Sequence, residues 1–295
     1  MNGLTVAIIG AGRVGSTVGY LLARAGYAVT AVAARTRASA EKAVRFIGAG
    51  TATTDARMAA STAGIIFITT PDGAIKKVCD EIGTSGGLKT GSLVVHMFGA
   101  ASLELLDAAR ATGSFRAVIH PLQSMPSPEQ GIKNLPGSYF RIEADPAARE
   151  TAKQLVTDLG GVELVMEKWS SDKDSAALYH AGAVAVSNYF VALVDYGLKF
   201  AEALGADKQE ALKALLPLIK GTLGNIETLG TADALTGPIA RGDVETIRGH
   251  VEAMRKRTPE LLDLYKHLAR HTVSVARDKG SITQKTAEEL LEQLQ

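Results

Sequence analysis

An apolar run, Leu4–Ile9, ends in Gly10-Ala11-Gly12-Arg13-Val14-Gly15 and passes directly into a helical pattern. Few folds accept a strand that turns into a helix so tightly at the start of a chain. In the βαβ dinucleotide-binding unit each glycine has a physical task. Gly10 allows the tight turn, Gly12 lets backbone approach a diphosphate, and Gly15 lets helix pack on strand. The unpaired N–H groups of the helix start then face the anion. An ordinary glycine-rich strand–helix turn has the same spelling. What separates the two is the pattern that follows.

That pattern alternates. Apolar runs at Leu4–Ile9, Ala28–Ala33, Gly64–Thr69, Ser92–Met97, Phe115–His120, Ser138–Glu143 and Val162–Val165 read as strands. Helical periodicity fills Arg13–Ala25, Arg37–Ile47, Ala74–Ile82, Ser102–Ala111 and Ala147–Leu159, and the proline-rich segment Pro121–Pro136 reads as a loop. Strands alternating with helices predict a parallel sheet covered on both faces. After Trp169 only helical periodicity remains: Ala176–Leu204, Lys208–Gly221, Val244–Arg257, Pro259–Asp278 and Thr283–Leu294, with Asp243 as an N-cap. The expected architecture is α/β, a doubly wound Rossmann-type parallel sheet over residues 1–168, followed by an all-helical domain over residues 169–295.

Composition narrows the function. Lys plus Arg total 32 against 31 for Asp plus Glu, a net charge of +1, which provides no field to gather nucleic acid or an anionic membrane. The single cysteine, Cys79, can form neither an intramolecular disulfide nor a thiolate zinc site. The N-terminus lacks a basic n-region and a cleavage site, so a cytoplasmic protein is expected. Ser175–Val194 carries no charged residue and approaches the length of a membrane span. Its Tyr179, His180, Ser187, Asn188 and Tyr189 are costly in hydrocarbon, and a buried helix is the preferred reading.

The residues after the second strand choose between dinucleotides. An NAD site places an acidic residue there to accept from the ribose 2′-hydroxyl, yet no acidic residue occurs from Met1 to Ala40. The position reads Arg35-Thr36-Arg37, and guanidinium and hydroxyl groups suit a 2′-phosphate, pointing to NADP(H). Thr70-Pro71 closes the next strand and lies where cofactor and substrate meet, with Asp72 readable as a helix cap. His96 and His120 stand at strand ends on the ligand-bearing edge. His180 lies in the charge-free helix with Asn188 at i+8 on the same face, so an imidazole and an amide share one surface. The bland reading of each histidine is a hydrogen-bonded core residue. Arg241 can hold a carboxylate through two nitrogens or pair with Asp243. His267 and His271 have the i, i+4 spacing of a metal pair without the accompanying glutamate, and no metal site is expected.

GAGRVG, the TTPD loop, His96 in VVHMFGA, His120-Pro121-Leu122-Gln123, Tyr179-His180 followed by Ser187-Asn188-Tyr189, and LTGPIARGD together resemble one family along the whole chain. It is the family of Rossmann-like, NADP oxidoreductase-like bacterial proteins whose C-terminal half is a helical domain of uncharacterised function. That half is similar to the C-terminal domain of 6-phosphogluconate dehydrogenase. More distantly the arrangement resembles pyrroline-5-carboxylate reductase, ketopantoate reductase and the β-hydroxyacid dehydrogenases. The resemblance implies NADP(H) on Gly10, Ala11, Gly12, Arg13, Val14 and Gly15, with Arg35, Thr36, Arg37, Thr70 and Pro71. It also implies a small-molecule substrate and a homodimer formed through the helical domain. His180 takes the place of the lysine of the reductase relatives, as general acid, with Asn188 and His120 in support. Substrate would be held by His96, the backbone at Gly99, Ser102 and Arg241. The implied activity is hydride transfer to a carbonyl or imine of a small, carboxylated metabolite such as ketopantoate. Two alternatives stay open: a non-catalytic NADP(H) sensor that binds a protein partner, and a deazaflavin-dependent NADP reductase.

Overall fold

The computed structural model describes residues 4–170 and 172–295. Contacts divide the chain into two compact units, Met1–Ser187 and Asn188–Gln295. The first holds eight strands: β1 (Thr5–Ile9), β2 (Ala28–Ala33), β3 (Thr51–Thr53), β4 (Ile65–Ile68), β5 (Leu93–His96), β6 (Phe115–Pro121), β7 (Tyr139–Ala144) and β8 (Val162–Glu163). They form one sheet in the order β3-β2-β1-β4-β5-β6-β7-β8. All neighbours are parallel except β6 and β7. Around the sheet lie α1 (Arg13–Arg24), α2 (Arg37–Ile47), α3 (Ala56–Ser61), α4 (Ile75–Thr84), α5 (Asp107–Ala111), α6 (Pro128–Asn134), α7 (Arg149–Asp158) and α8 (Lys173–Val186).

The strands are nearly continuous apolar runs because both faces are covered. Successive side chains point to opposite faces. Ile8, Phe67, Val95 and Ile119 pack with Val18 and Leu22 of α1, Ile47 of α2 and Leu155 of α7. Ile9, Ile66, Ile68 and Val94 pack with Ala59 and Ala60 of α3 and with Ile75, Cys79 and Ile82 of α4. The buried Cys79 is thus a small apolar core residue, its thiol pushed up to about 11 chiefly by burial. Strand order reverses at β1, which has β2 on one side and β4 on the other. The carboxyl ends of these three strands are tied together, Gly10 N–H donating to Ala33 O at 2.9 Å and Thr69 N–H to Ile9 O at 2.8 Å. Ligands of open α/β sheets bind at such a switch point.

Three local departures from expectation have physical reasons. β3 and α3 were not anticipated, because Thr51–Thr53 is too short to show a period. The segment read wholly as loop contains α6, whose start is a recognisable cap: the Ser127 hydroxyl accepts from Gln130 N–H, and Pro128 takes the first turn. The long helix expected over Ala176–Leu204 is divided at Ser187 (φ −116°, ψ −70°) into α8 and α9 (Asn188–Ala203). Nor is that stretch buried within the chain. Leu178 is 77%, Val186 79% and Val191 70% exposed. By length and composition alone, the run Lys173–Ala203 would suffice to cross a membrane.

The second unit continues with α10 (Lys208–Ala234), α11 (Val244–Arg257), α12 (Leu262–Asp278) and α13 (Gln284–Gln293). Ile247 and Val251 of α11, Ala269, Val273 and Ala276 of α12, and Ala287 and Leu290 of α13 form its core. Asp243 caps α11 as expected, accepting from Thr246 N–H at 3.0 Å. α10 runs beyond the expected end at Gly221 and is kinked at Gly230, whose φ of +77° lies in the left-handed region. Helix α8, read from sequence as part of the helical half, belongs to the first unit.

Candidate functional site

The turn from β1 to α1 has the geometry its glycines require. Gly10 has φ +112°, and a Cβ there would lie 2.5 Å from the carbonyl carbon of Thr69. No side chain can occupy that position without separating β1 from β4. At Gly12 a Cβ would meet nothing within 4 Å, so the first turn of α1 opens on free space. Gly12 caps that helix without a side-chain hydrogen bond, and the first turn holds no acidic residue. Next to it the Thr70 hydroxyl is buried without a partner among the described residues. An open helix start, an orphaned hydroxyl and a cradle shaped by glycine fit the diphosphate and ribose of a dinucleotide.

Arg35, Thr36 and Arg37 stand exposed beyond the end of β2. Thr36 is partly spent on structure, its hydroxyl accepting from Ser39 N–H at the start of α2. Arg37 Nε pairs with Glu41 at 2.8 Å. Both partners of this pair are exposed, so it contributes little and yields readily to a phosphate. Arg35 has no ion-pair partner among the described residues.

The three histidines separate sharply. His96 is fully buried, and neither nitrogen is left for a substrate: Nδ1 accepts from Phe98 N–H at 3.1 Å and Nε2–H donates to Ser102 O at 3.0 Å. Burial depresses it to about 4, so it is a neutral clamp on the 97–102 loop rather than the substrate ligand expected from sequence. Ser102 is likewise buried, its carbonyl taken by His96. Gly99 lies where two imidazoles converge, and a Cβ there would be 2.6 Å from His120 Nε2 and 2.8 Å from His180 Cδ2. The rings of His120 and His180 meet edge to face at 6.1 Å, and Phe98 stands 6.0 Å from His180. Burial first, then the Arg141 charge, holds His120 down to about 3.

A cavity of about 400 Å³ is lined by Arg13 and Val14 of the glycine turn, by Met97, by His120 and Pro121, and by the loop from Gln123 to Pro126. A smaller cavity beside it shares Val14 and Met97 and reaches Thr70, Asp72 and Phe98. Asp72 does not cap a helix; Pro71 holds that place. Its carboxyl is raised above the usual range by burial, with nearby His180 opposing the shift. Asn188 opens α9 and Arg241 is exposed before α11, both in the second unit. His180 belongs to the first unit, in α8.

Sequence reasoning missed the group that organises this edge. Arg141 on β7 lies directly opposite His120 on β6 and is 1% exposed. Its Nη1 donates to Glu143 at 3.0 Å and its Nη2 to Ala101 O at 2.7 Å, and the guanidinium lies 4.7 Å from the centre of the Trp169 ring and 5.5 Å from that of Tyr179. The signal was present as Arg141 and Glu143 two residues apart in an otherwise apolar strand, which puts opposite charges on one face.

Two family models match the chain: a Rossmann-like domain over residues 1–121 and a domain of unknown function, DUF2520, over residues 138–272. No curated protein matches it. Solved structures share its fold. A Bacteroides fragilis protein provisionally named an NADP oxidoreductase is 22% identical, with a TM-score of 0.72 over 92% of this chain and 98% of its own. A Thermotoga maritima protein is 24% identical, with a TM-score of 0.72 over 92% and 99%. An imine reductase from Myxococcus stipitatus, solved with NADP+, is 18% identical, with a TM-score of 0.62 over 97% and 99%.

Proposed function

We propose, from a Rossmann-like domain followed by DUF2520, that this protein is an NADP(H)-dependent oxidoreductase. The proposed reaction moves hydride between the nicotinamide and the carbonyl or imine carbon of a small, carboxylated metabolite, with ketopantoate as a model. One observation carries the reading: a single cavity is lined both by Arg13-Val14 of the glycine turn and by His120. The likeness to NADP-binding reductases supports it. NADPH, when bound, supplies the hydride. The free N–H groups of α1 hold the diphosphate, Thr70 gives its hydroxyl a partner there, and Arg35 and Arg37 grip the 2′-phosphate. His180 gives a ring proton to the substrate heteroatom, with His120 hydrogen-bonding beside it.

The double substitution Arg35→Ala with Arg37→Ala tests the cofactor assignment. Charge-assisted hydrogen bonds contribute about 1.5–3 kcal/mol each, so calorimetric titration should show NADPH binding weakened by about a hundredfold. NADH, which lacks the phosphate, should change by less than about threefold. Equal losses for both nucleotides would return the two arginines to the role of surface residues.

The reading includes a homodimer through the helical unit. α9 and α10 leave Val191, Leu218, Leu223 and Leu229 in solvent, and an apolar surface of that kind marks an interface. A bilayer is a poorer match for this run, because Tyr179 at its start is hydrogen-bonded to His120 at the end of a sheet strand. Light scattering in buffer without detergent should give twice the 30.9 kDa chain mass. A monomer, or aggregation relieved only by detergent, would contradict it.

A further inference from the structure

His120 lines the cavity, and one of its ring nitrogens is already engaged. Its Nδ1 lies 3.0 Å from the hydroxyl of Tyr179, and the two rings stand edge to face at 5.4 Å. Phenol is the better donor and imidazole nitrogen the better acceptor, so the proton between them belongs to the oxygen. Tyr179 is itself held. Trp169 meets its ring edge to face at 6.0 Å, and the Arg141 guanidinium stands 5.5 Å from its centre. Burial raises the phenol to about 12, which keeps the donor proton in place. The groups facing His120 are His96 from β5, Arg141 from β7, and Tyr179 and His180 from α8. Among the described residues none of these four is an anion, and the charges acting on His120 all disfavour an imidazolium.

We propose that Tyr179 and Arg141 are positioning residues that fix His120 as a neutral imidazole with its proton on Nε2. The engaged nitrogen decides which tautomer the ring adopts. Nε2–H then faces the notch left by the missing side chain of Gly99, with the edge of His180 on its other side. On the oxidoreductase reading this gives the substrate heteroatom an uncharged hydrogen-bond donor that does not titrate near neutrality. Proton delivery is left to His180. A neutral donor of this kind polarises a carbonyl without adding a positive charge beside the buried Arg141 guanidinium.

The test needs neither substrate nor nucleotide, so its failure is distinct from failure of the oxidoreductase reading. Long-range proton–nitrogen correlation spectra would be recorded on the full-length chain labelled with [15N]histidine, from pH 6 to pH 9, with His120 assigned by His120→Asn. The expected spectrum has an unprotonated Nδ1 and a protonated Nε2 for His120, constant across the range. In Tyr179→Phe the two tautomers should appear in comparable amounts, a change that loss of packing alone would not produce. A proton on Nδ1 in the wild type, titration within that range, or a Tyr179→Phe spectrum identical to the wild type would overturn the proposal. Should Tyr179→Phe fail to fold, the wild-type spectrum alone decides the tautomer.

Discussion

Arg141→Met is expected to destabilise the first unit by about 3–5 kcal/mol, the cost of leaving a buried charge without its partner. Glu143 would keep a side chain only 5% exposed with no cation beside it, and Ala101 O would lose its donor. The pair itself is under-satisfied, since Arg141 Nε and Glu143 Oε1 are buried without partners among the described residues. Such a pair is not a large net source of stability, yet removing one member is costly. The double substitution Arg141→Met with Glu143→Leu should therefore recover most of the loss. Urea unfolding of the three chains measures both effects. A single-variant cost below about 1 kcal/mol, or a double variant no better than the single, would mean that the guanidinium is not the tie between β7 and the 97–102 loop.

Acid should unfold the protein earlier than carboxylate titration alone would require. His96 and His120 are held to about 4 and about 3 in the fold, against 6.5 for an ordinary histidine. In the unfolded chain both take up protons near 6.5, while the native state refuses them. The unfolded state then binds more protons, and stability falls as pH falls from about 6.5 toward about 4. Each unit of depression corresponds to about 1.4 kcal/mol, so the two residues together remove several kcal/mol over that window. The dependence is checked by denaturant titrations at pH 7, 6, 5 and 4.5. His120→Asn should flatten part of the slope. Stability that stays level between pH 7 and 5 would mean that these histidines are hydrated and charged in the native state.

How far the sequence speaks depends on whether a signal is local. The β1–α1 turn was legible because all its parts fall within a dozen residues, and Gly10 has the positive φ that its place demands. β2 and α2 have the boundaries their periodicity sets, and Asp243 caps the helix it precedes. The histidines were given roles from their strand and helix positions alone, with His96 as a substrate contact. His96 ends β5 and His120 is the last residue but one of β6, and only the path of the 97–102 loop decides that the first is consumed by Phe98 and Ser102. Tyr179 and His120 are 59 residues apart, a pairing that no spacing rule reaches. Arg141 and Glu143 were readable in principle, but charges in a late strand are ordinarily taken as solvent-facing. The run after Ser175 was read as buried because apolar length favours a core; within one chain its leucines and valines stay exposed.

The central claim is that the first unit binds NADP(H) in preference to NAD(H). Thermal unfolding of the full chain with NADPH, NADP+, NADH, NAD+ and no ligand tests it most directly. A ligand at a hundredfold excess over its Kd stabilises the native state by about 2.7 kcal/mol, so binding registers as a raised midpoint. The account predicts a clear rise with NADPH and NADP+ and little with NADH or NAD+. Equal rises with all four would contradict the roles of Arg35 and Arg37, and no rise with any would remove the dinucleotide site on which the proposed chemistry rests.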